Sequence, residues 1–181
     1  MSQSLPNSSS PESTRQPSSQ RGKYLTVTLG GESYGIPVMK VREIIRLCPI
    51  TRVANMPAQV RGVINLRGKV IPVVDLRARF GMPVAPDHDR TCIVVTQVAA
   101  ATGVGTRPYG LIVDAVEEVA TFADDDIQPT PDFGGAIDTR FITGMARAGG
   151  GVKTLVDIDA IAASEIPLAD AESTAPRSNP S

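Results

Sequence analysis

Apolar side chains in this sequence recur at every second position, in short runs closed by glycine, proline or similar turn residues. That pattern permits half-buried strands and little else. Leu25, Val27 and Leu29 alternate with Thr26 and Thr28, and Gly30-Gly31 then supplies a hairpin turn. Tyr34 and Ile36 resume the alternation until Pro37, which cannot donate to a ladder and ends or bends the strand. Residues 38–47 fit two periods. As a helix, Val38, Val41 and Ile45 share a face; as a turn followed by a strand, Val41, Glu43, Ile45 and Leu47 point one way and Arg42, Ile44 and Arg46 the other. The β-branched density favours the strand.

Further runs follow the same rule. Thr51–Gly62 reads as a strand broken by Pro57 and leading into a short irregular or helical piece, and VINL-RGK-VIPVV as two strands joined by a tight Arg-Gly-Lys turn. Asp75 and Gly81 bracket a short helix as N-cap and C′ residue. TCIVVTQV and YGLIVDAV are two more strands, separated by a small, polar, mobile linker AAATGVGTRP. ADDDIQPTPDFGG is surface loop with a helical turn. FITGMAR and VKTLVDI pair across Gly149-Gly150-Gly151, and IDAIAASEI closes the fold as a helix. Many short strands with a turn signal every ten residues or so predict an all-β fold of small barrels or a sandwich.

Composition sets the limits of that domain. The first 22 residues hold eight serines and three prolines with almost no large apolar side chain, and residues 168–181 are similar. Such segments bury too little to offset the entropy of ordering, so both are expected to be disordered tails around a domain spanning 23–167. Eighteen Lys and Arg against nineteen Asp and Glu, with 4% aromatics and no tryptophan, argue against a nucleic-acid groove, which needs basic charge interleaved with stacking rings. No run approaches the roughly 20 apolar residues of a membrane span. The N-terminus also lacks the pattern of a secretion signal, and a soluble, intracellular protein is expected.

Reactive chemistry is sparse. Asp75, Asp114 and Asp157 each follow an apolar run, but cap and turn roles explain them more simply than paired catalytic carboxylates do. His88 is the single histidine and lies in a Pro-Asp-His-Asp loop, with nothing beside it to complete a metal site. Asp124-Asp125-Asp126 lacks the spacing of a calcium loop, and Gly103-Val104-Gly105 lacks the strand-to-helix setting of a dinucleotide loop. Cys48 and Cys92 sit in apolar runs and read as buried free thiols. What stands out is Arg67 at the tip or shoulder of an apolar hairpin. It either solvates the turn or presents a planar, multi-donor group to a partner.

Tyr34-Gly35-Ile36, then Val41, Glu43 and Ile44, and the long run TRVANMPAQVRGVINLRGKVIPVVDLRARF from Thr51 to Phe80 resemble the CheW adaptor signature. The resemblance extends through Gly110–Asp114, Val116, Ile127–Pro129 and Ile142–Gly144, so it covers nearly everything between the tails. It implies two intertwined five-stranded SH3-like β-barrels with short helices, no catalytic centre and no cofactor or metal. It also implies two partners: the regulatory domain of a CheA-type histidine kinase and the cytoplasmic tip of methyl-accepting chemoreceptors. A cytoplasmic protein recruited to membrane-bound arrays, without inserting into the membrane, is the implied location. By the same resemblance Val41, Glu43 and Ile44 lie on a kinase-facing strand, and Gly62, Asn65, Arg67 and Gly68 on the motif that couples receptor and kinase. Val113 and Val116 match a second-barrel strand associated with receptor contact. An adaptor of a pilus-motility or surface-sensing pathway fits the same residues. A nucleic-acid-binding small barrel and an aspartate hydrolase rank below both.

Overall fold

A computed structural model describes residues 22–134 and 138–164. The expected tails lie outside these residues, as does the expected domain end at 167; only Gly22 of the first tail is described, and it already belongs to a strand. The chain forms β1 (Gly22–Leu29), β2 (Glu32–Pro37), β3 (Val41–Arg46), β4 (Val60–Leu66), β5 (Lys69–Asp75), α1 (Leu76–Arg79), β6 (Cys92–Ala99), β7 (Thr106–Val113), β8 (Ala115–Phe122), β9 (Ile127–Gln128), β10 (Ile142–Ala148), β11 (Gly151–Val156) and α2 (Ile158–Ala163).

The fold is all-β, in two sheets. One runs β8-β1-β2-β11-β10-β9 and the other β3-β6-β7-β5-β4. The halves are intertwined. After β2 the chain leaves the first sheet, builds the whole of the second, and returns at β8 to complete the first. The expected pair of closed five-stranded barrels is corrected in one respect: neither sheet closes through a continuous ladder, and the first carries a sixth, two-residue strand, β9.

Three apolar clusters explain the sequence pattern. The largest lies between the sheets, where Val27, Leu29 and Ile36 meet Val74, Leu111 and Val113, with Leu76 of α1 and Ile158 and Ile161 of α2. A second fills the concave side of the β3–β7 sheet with Ile64, Ile71, Val73, Ile93, Val95 and Ile112. A third, Tyr24, Phe122, Ala146 and Leu155, backs the other sheet. β6 is therefore buried on both faces, which is why it reads as a continuous apolar run and not as an alternation. β1 departs from a half-buried strand for the same reason: Thr26 is fully buried, and its hydroxyl donates to the Glu118 carbonyl at 3.0 Å.

Several local expectations hold. The Val38–Lys40 segment is a single 3-10 turn, and β3 then alternates half-buried and exposed along its length. Asp75 caps α1 by accepting from the Arg77 and Ala78 amides, and Asp157 caps α2 by accepting from Ala160 at 2.9 Å. Others are corrected. Thr51–Gly62 forms no strand before β4. Its one ladder contact is the Thr51–Val63 bridge, because Asn55 turns at φ +60° and Pro57 follows. The expected linker shrinks to 100–105, since β6 and β7 pair from Ala99–Thr106 onward. Both cysteines are free but only half-buried.

Candidate partner-binding site

The β4–β5 hairpin turns on two residues, not three. Arg67 at φ +51° and Gly68 at φ +83° form the turn, and Lys69 already belongs to β5. Both residues have positive φ, the geometry that matches the twist of a two-residue hairpin. Asn65 secures it by accepting the Gly68 N–H on Oδ1 at 2.9 Å. The Arg67 side chain, 72% exposed, leans across to β3 and donates to both carboxylate oxygens of Glu43, at 2.6 and 2.7 Å. This bidentate fork holds the Glu43 carboxyl below its ordinary range and raises the guanidinium in turn. Among the candidate readings of Arg67, a free donor set waiting for a partner is not what is found: its fork is already occupied within the chain.

The fork spans a gap. β3 and β4 are the two edges of their sheet, and no ladder joins them. Two polar contacts cross the space, above the apolar cluster that holds Ile45 and Ile64. One is Arg67–Glu43; the other is the Thr51–Val63 bridge, with each amide donating to the other's carbonyl at 2.9 Å. Gly62 makes the second possible. It is buried at φ +140°, and a Cβ there would lie 2.1 Å from the Thr51 carbonyl oxygen. A side chain would force the Leu47–Gln59 segment off β4. So Gly62 is buried and acts through its backbone, exposed Gly68 and the Asn65 side chain set the turn, and Arg67 and Glu43 tie the hairpin to the edge strand.

On that edge, Ile44 projects outward and is 46% exposed, with exposed Arg46 two residues on along the same face. Val41 is half-buried and packs on the main core. The structure thus brings Glu43, Ile44, Asn65, Arg67 and Gly68 to one end of the second sheet. Val113 and Val116 lie elsewhere. They do not share a strand: Val113 ends β7, Val116 is in β8, and the strands belong to different sheets. Val113 has no exposed surface, and Val116 is half-buried against the main core. Asp114 makes the corner between them. Burial alone would raise its carboxyl, but the Arg77 guanidinium and the Gly30 N–H, which donates at 2.8 Å, together hold it low. A long-range carboxylate contact of this kind leaves no local sequence signal, and the apolar run through YGLIVDAV hides the break.

Among the described residues, no group of three or more His, Cys, Asp or Glu side chains could hold a metal ion. No helix there is long and apolar enough to cross a membrane. The site is an edge strand with exposed apolar and cationic side chains, tied to a hairpin turn by one ion pair.

A family model described as a CheW-like domain matches residues 23–165. The chain belongs to the CheW-like family. The chemotaxis protein CheW of Rhizobium meliloti is 41% identical over 143 residues, which cover 79% of this chain and 88% of that protein. The chemotaxis protein CheW of Klebsiella aerogenes is 36% identical over 143 residues, covering 79% and 82%. The crystal structure of the scaffolding protein TtCheW from Thermoanaerobacter tengcongensis superimposes with a TM-score of 0.70 at 32% identity, over 78% of this chain and 92% of that one. This CheW-like chain is accordingly a chemotaxis adaptor, a scaffold and not an enzyme.

Proposed function

We propose that this adaptor couples methyl-accepting chemoreceptors to a CheA-type histidine kinase, and that β3 with the β4–β5 turn is the face it uses. The supporting observation is the Arg67–Glu43 fork. It immobilises an edge strand whose outward side chains are otherwise spare, and binding loses less entropy when the contact surface is already held. Ile44 is the apolar anchor of this face, with Arg46 as its charged flank. Asn65, Gly62 and Gly68 serve by fixing the frame. Val41 supports the strand from beneath, and Val116 supports the corner at Asp114. Val113 acts only as core. The protein reaches the membrane through the receptors it binds and not by inserting into the bilayer.

Reconstitution tests this directly. Kinase, receptor and the adaptor together should autophosphorylate faster than kinase and receptor alone, while the adaptor by itself turns over no ATP. Ile44→Asp should abolish that gain with an unchanged circular-dichroism melt. An obligatory phosphorylation of the adaptor, or full stimulation by Ile44→Asp, would overturn the proposal.

A further inference from the structure

Beside the Arg67–Glu43 fork lies a cleft of about 380 Å³, at the open end of the β3–β7 sheet. Its exposed wall carries Arg42, Arg67 and Lys69 against the single carboxylate of Glu43. Because Arg67 and Glu43 satisfy one another, Arg42 and Lys69 remain, and neither has an ion-pair partner among the described residues. Below them the lining is mostly apolar, with half-buried Leu66 and Pro108 and buried Ile71 and Val95, and half-buried Gln97 is its one polar side chain. A register shift in β3 between Val41 and Glu43 lets Arg42 and Glu43, neighbours on a strand, both line this space. Two uncompensated cations above an apolar floor stand out in a chain whose formal net charge is −1.

We propose that this cleft takes an acidic, apolar segment of a protein partner: one aliphatic side chain on Leu66, Ile71 and Pro108, flanked by carboxylates on Arg42 and Lys69. The charge balance selects this occupant. A carboxylate-flanked Leu or Ile answers both the cations and the floor, whereas a nucleic-acid strand calls for a cationic track with stacking rings, and no aromatic residue lines the cleft. Glu43 also disfavours an occupant with charge at its centre. The ionic arms lie on an exposed wall, so they govern salt dependence and partner choice more than they add raw affinity. The inference rests on the coupling role only for the identity of the partner protein; the chemistry of the cleft stands apart from it.

The probe is a pentapeptide, acetyl-Glu-Leu-Glu-Ile-Glu amide, titrated into the full-length protein beside its Lys-Leu-Lys-Ile-Lys counterpart, with backbone amide shifts read by NMR. The acidic peptide should move the amides of Arg42, Leu66, Lys69 and Ile71. The response should fade between about 0.05 M and about 0.3 M salt, and should vanish in the double variant Arg42→Gln/Lys69→Gln. The basic peptide should move none of them. In parallel, the double variant should bind the kinase regulatory domain about tenfold more weakly at low salt, with its melt unchanged. No response to the acidic peptide, an equal response to the basic one, or displacement by oligo(dT) at the same amides would overturn the proposal. If the acidic peptide responds as expected while the wild-type protein fails to bind the kinase domain, the coupling role falls and the cleft assignment stands.

Discussion

The Arg67 guanidinium reaches from a hairpin turn to both carboxylate oxygens of Glu43, at 2.6 and 2.7 Å, and so joins two strands that share no ladder hydrogen bond. Besides this side-chain pair, the backbone bridge of Thr51 to Val63 and the apolar cluster in which Ile45 and Leu47 pack with Ile64 and Ile71 span the two edges of the sheet. Position, more than energy, is what the pair contributes. An exposed ion pair adds little to stability, but a bidentate fork restricts the orientation of both partners.

Arg67→Ala should therefore leave the melting temperature nearly unchanged while weakening kinase or receptor binding. The expected loss is about tenfold or more if the braced edge is the contact surface. Arg67→Lys should restore only part of it, since a point charge cannot occupy both oxygens. Melting curves beside calorimetric titrations separate the roles: a large fall in melting temperature would make the residue structural.

Two glycines of the same motif should respond differently to alanine. At Gly62 the new Cβ meets the Thr51 carbonyl at 2.1 Å in a φ +140° backbone, so Gly62→Ala should cost about 2–4 kcal/mol and expose the Thr51 and Val63 amides to exchange. Gly68 at φ +83° has nothing within 4 Å of the added atom. Gly68→Ala should cost about 1 kcal/mol from backbone strain alone. Urea unfolding with hydrogen exchange measures both, and equal losses would contradict the steric account.

Acid should reveal a different tie. Burial raises the Glu117 carboxyl, but hydrogen bonds from Lys153, Ser33 and Thr28 outweigh it and bring it to about 2 from its ordinary 4.5. These donors sit on β11, β2 and β1, so one carboxylate links four neighbouring strands. A carboxyl lowered on folding stabilises above its unfolded value, and that stability is lost as pH falls through the folded one. Wild type should melt above Glu117→Gln at neutral pH, and the gap should close between pH 4.5 and about 2. A gap independent of pH would mean that shape, not charge, carries the effect.

The two helix caps should rank by their burden. Asp157→Ala removes the bond to the Ala160 amide and should cost about 1 kcal/mol. Asp75 accepts from two amides and also receives Arg61 at 3.1 Å, so Asp75→Ala should cost more. Denaturant midpoints of the two variants give the order.

What a strand's own residues decide is legible in the amino-acid sequence alone. The alternation of β3, the Asp75 and Asp157 caps, and the long motif around Arg67 all depend on neighbours a few positions away. Period-two patterning and cap chemistry report such neighbours directly. The motif also carries the family, and with it the adaptor role. Tertiary structure alone decides which contacts cross the chain. Arg67 and Glu43 are 24 residues apart, and nothing local marks the arginine as occupied and not free. The Thr51 bridge hides in a segment that propensity reads as a strand, because one pairing across a sheet gap has no periodicity. The break at Asp114 is invisible for the opposite reason: apolar residues continue through it, and the contacts of Asp114 with Arg77, the Gly30 amide and the Thr28 carbonyl, all brought there by packing, lie at the corner where β7 and β8 part into different sheets. Local order follows from spacing along the chain; closure of the sheet and the burial of Val113 follow from which distant surfaces the core brings together.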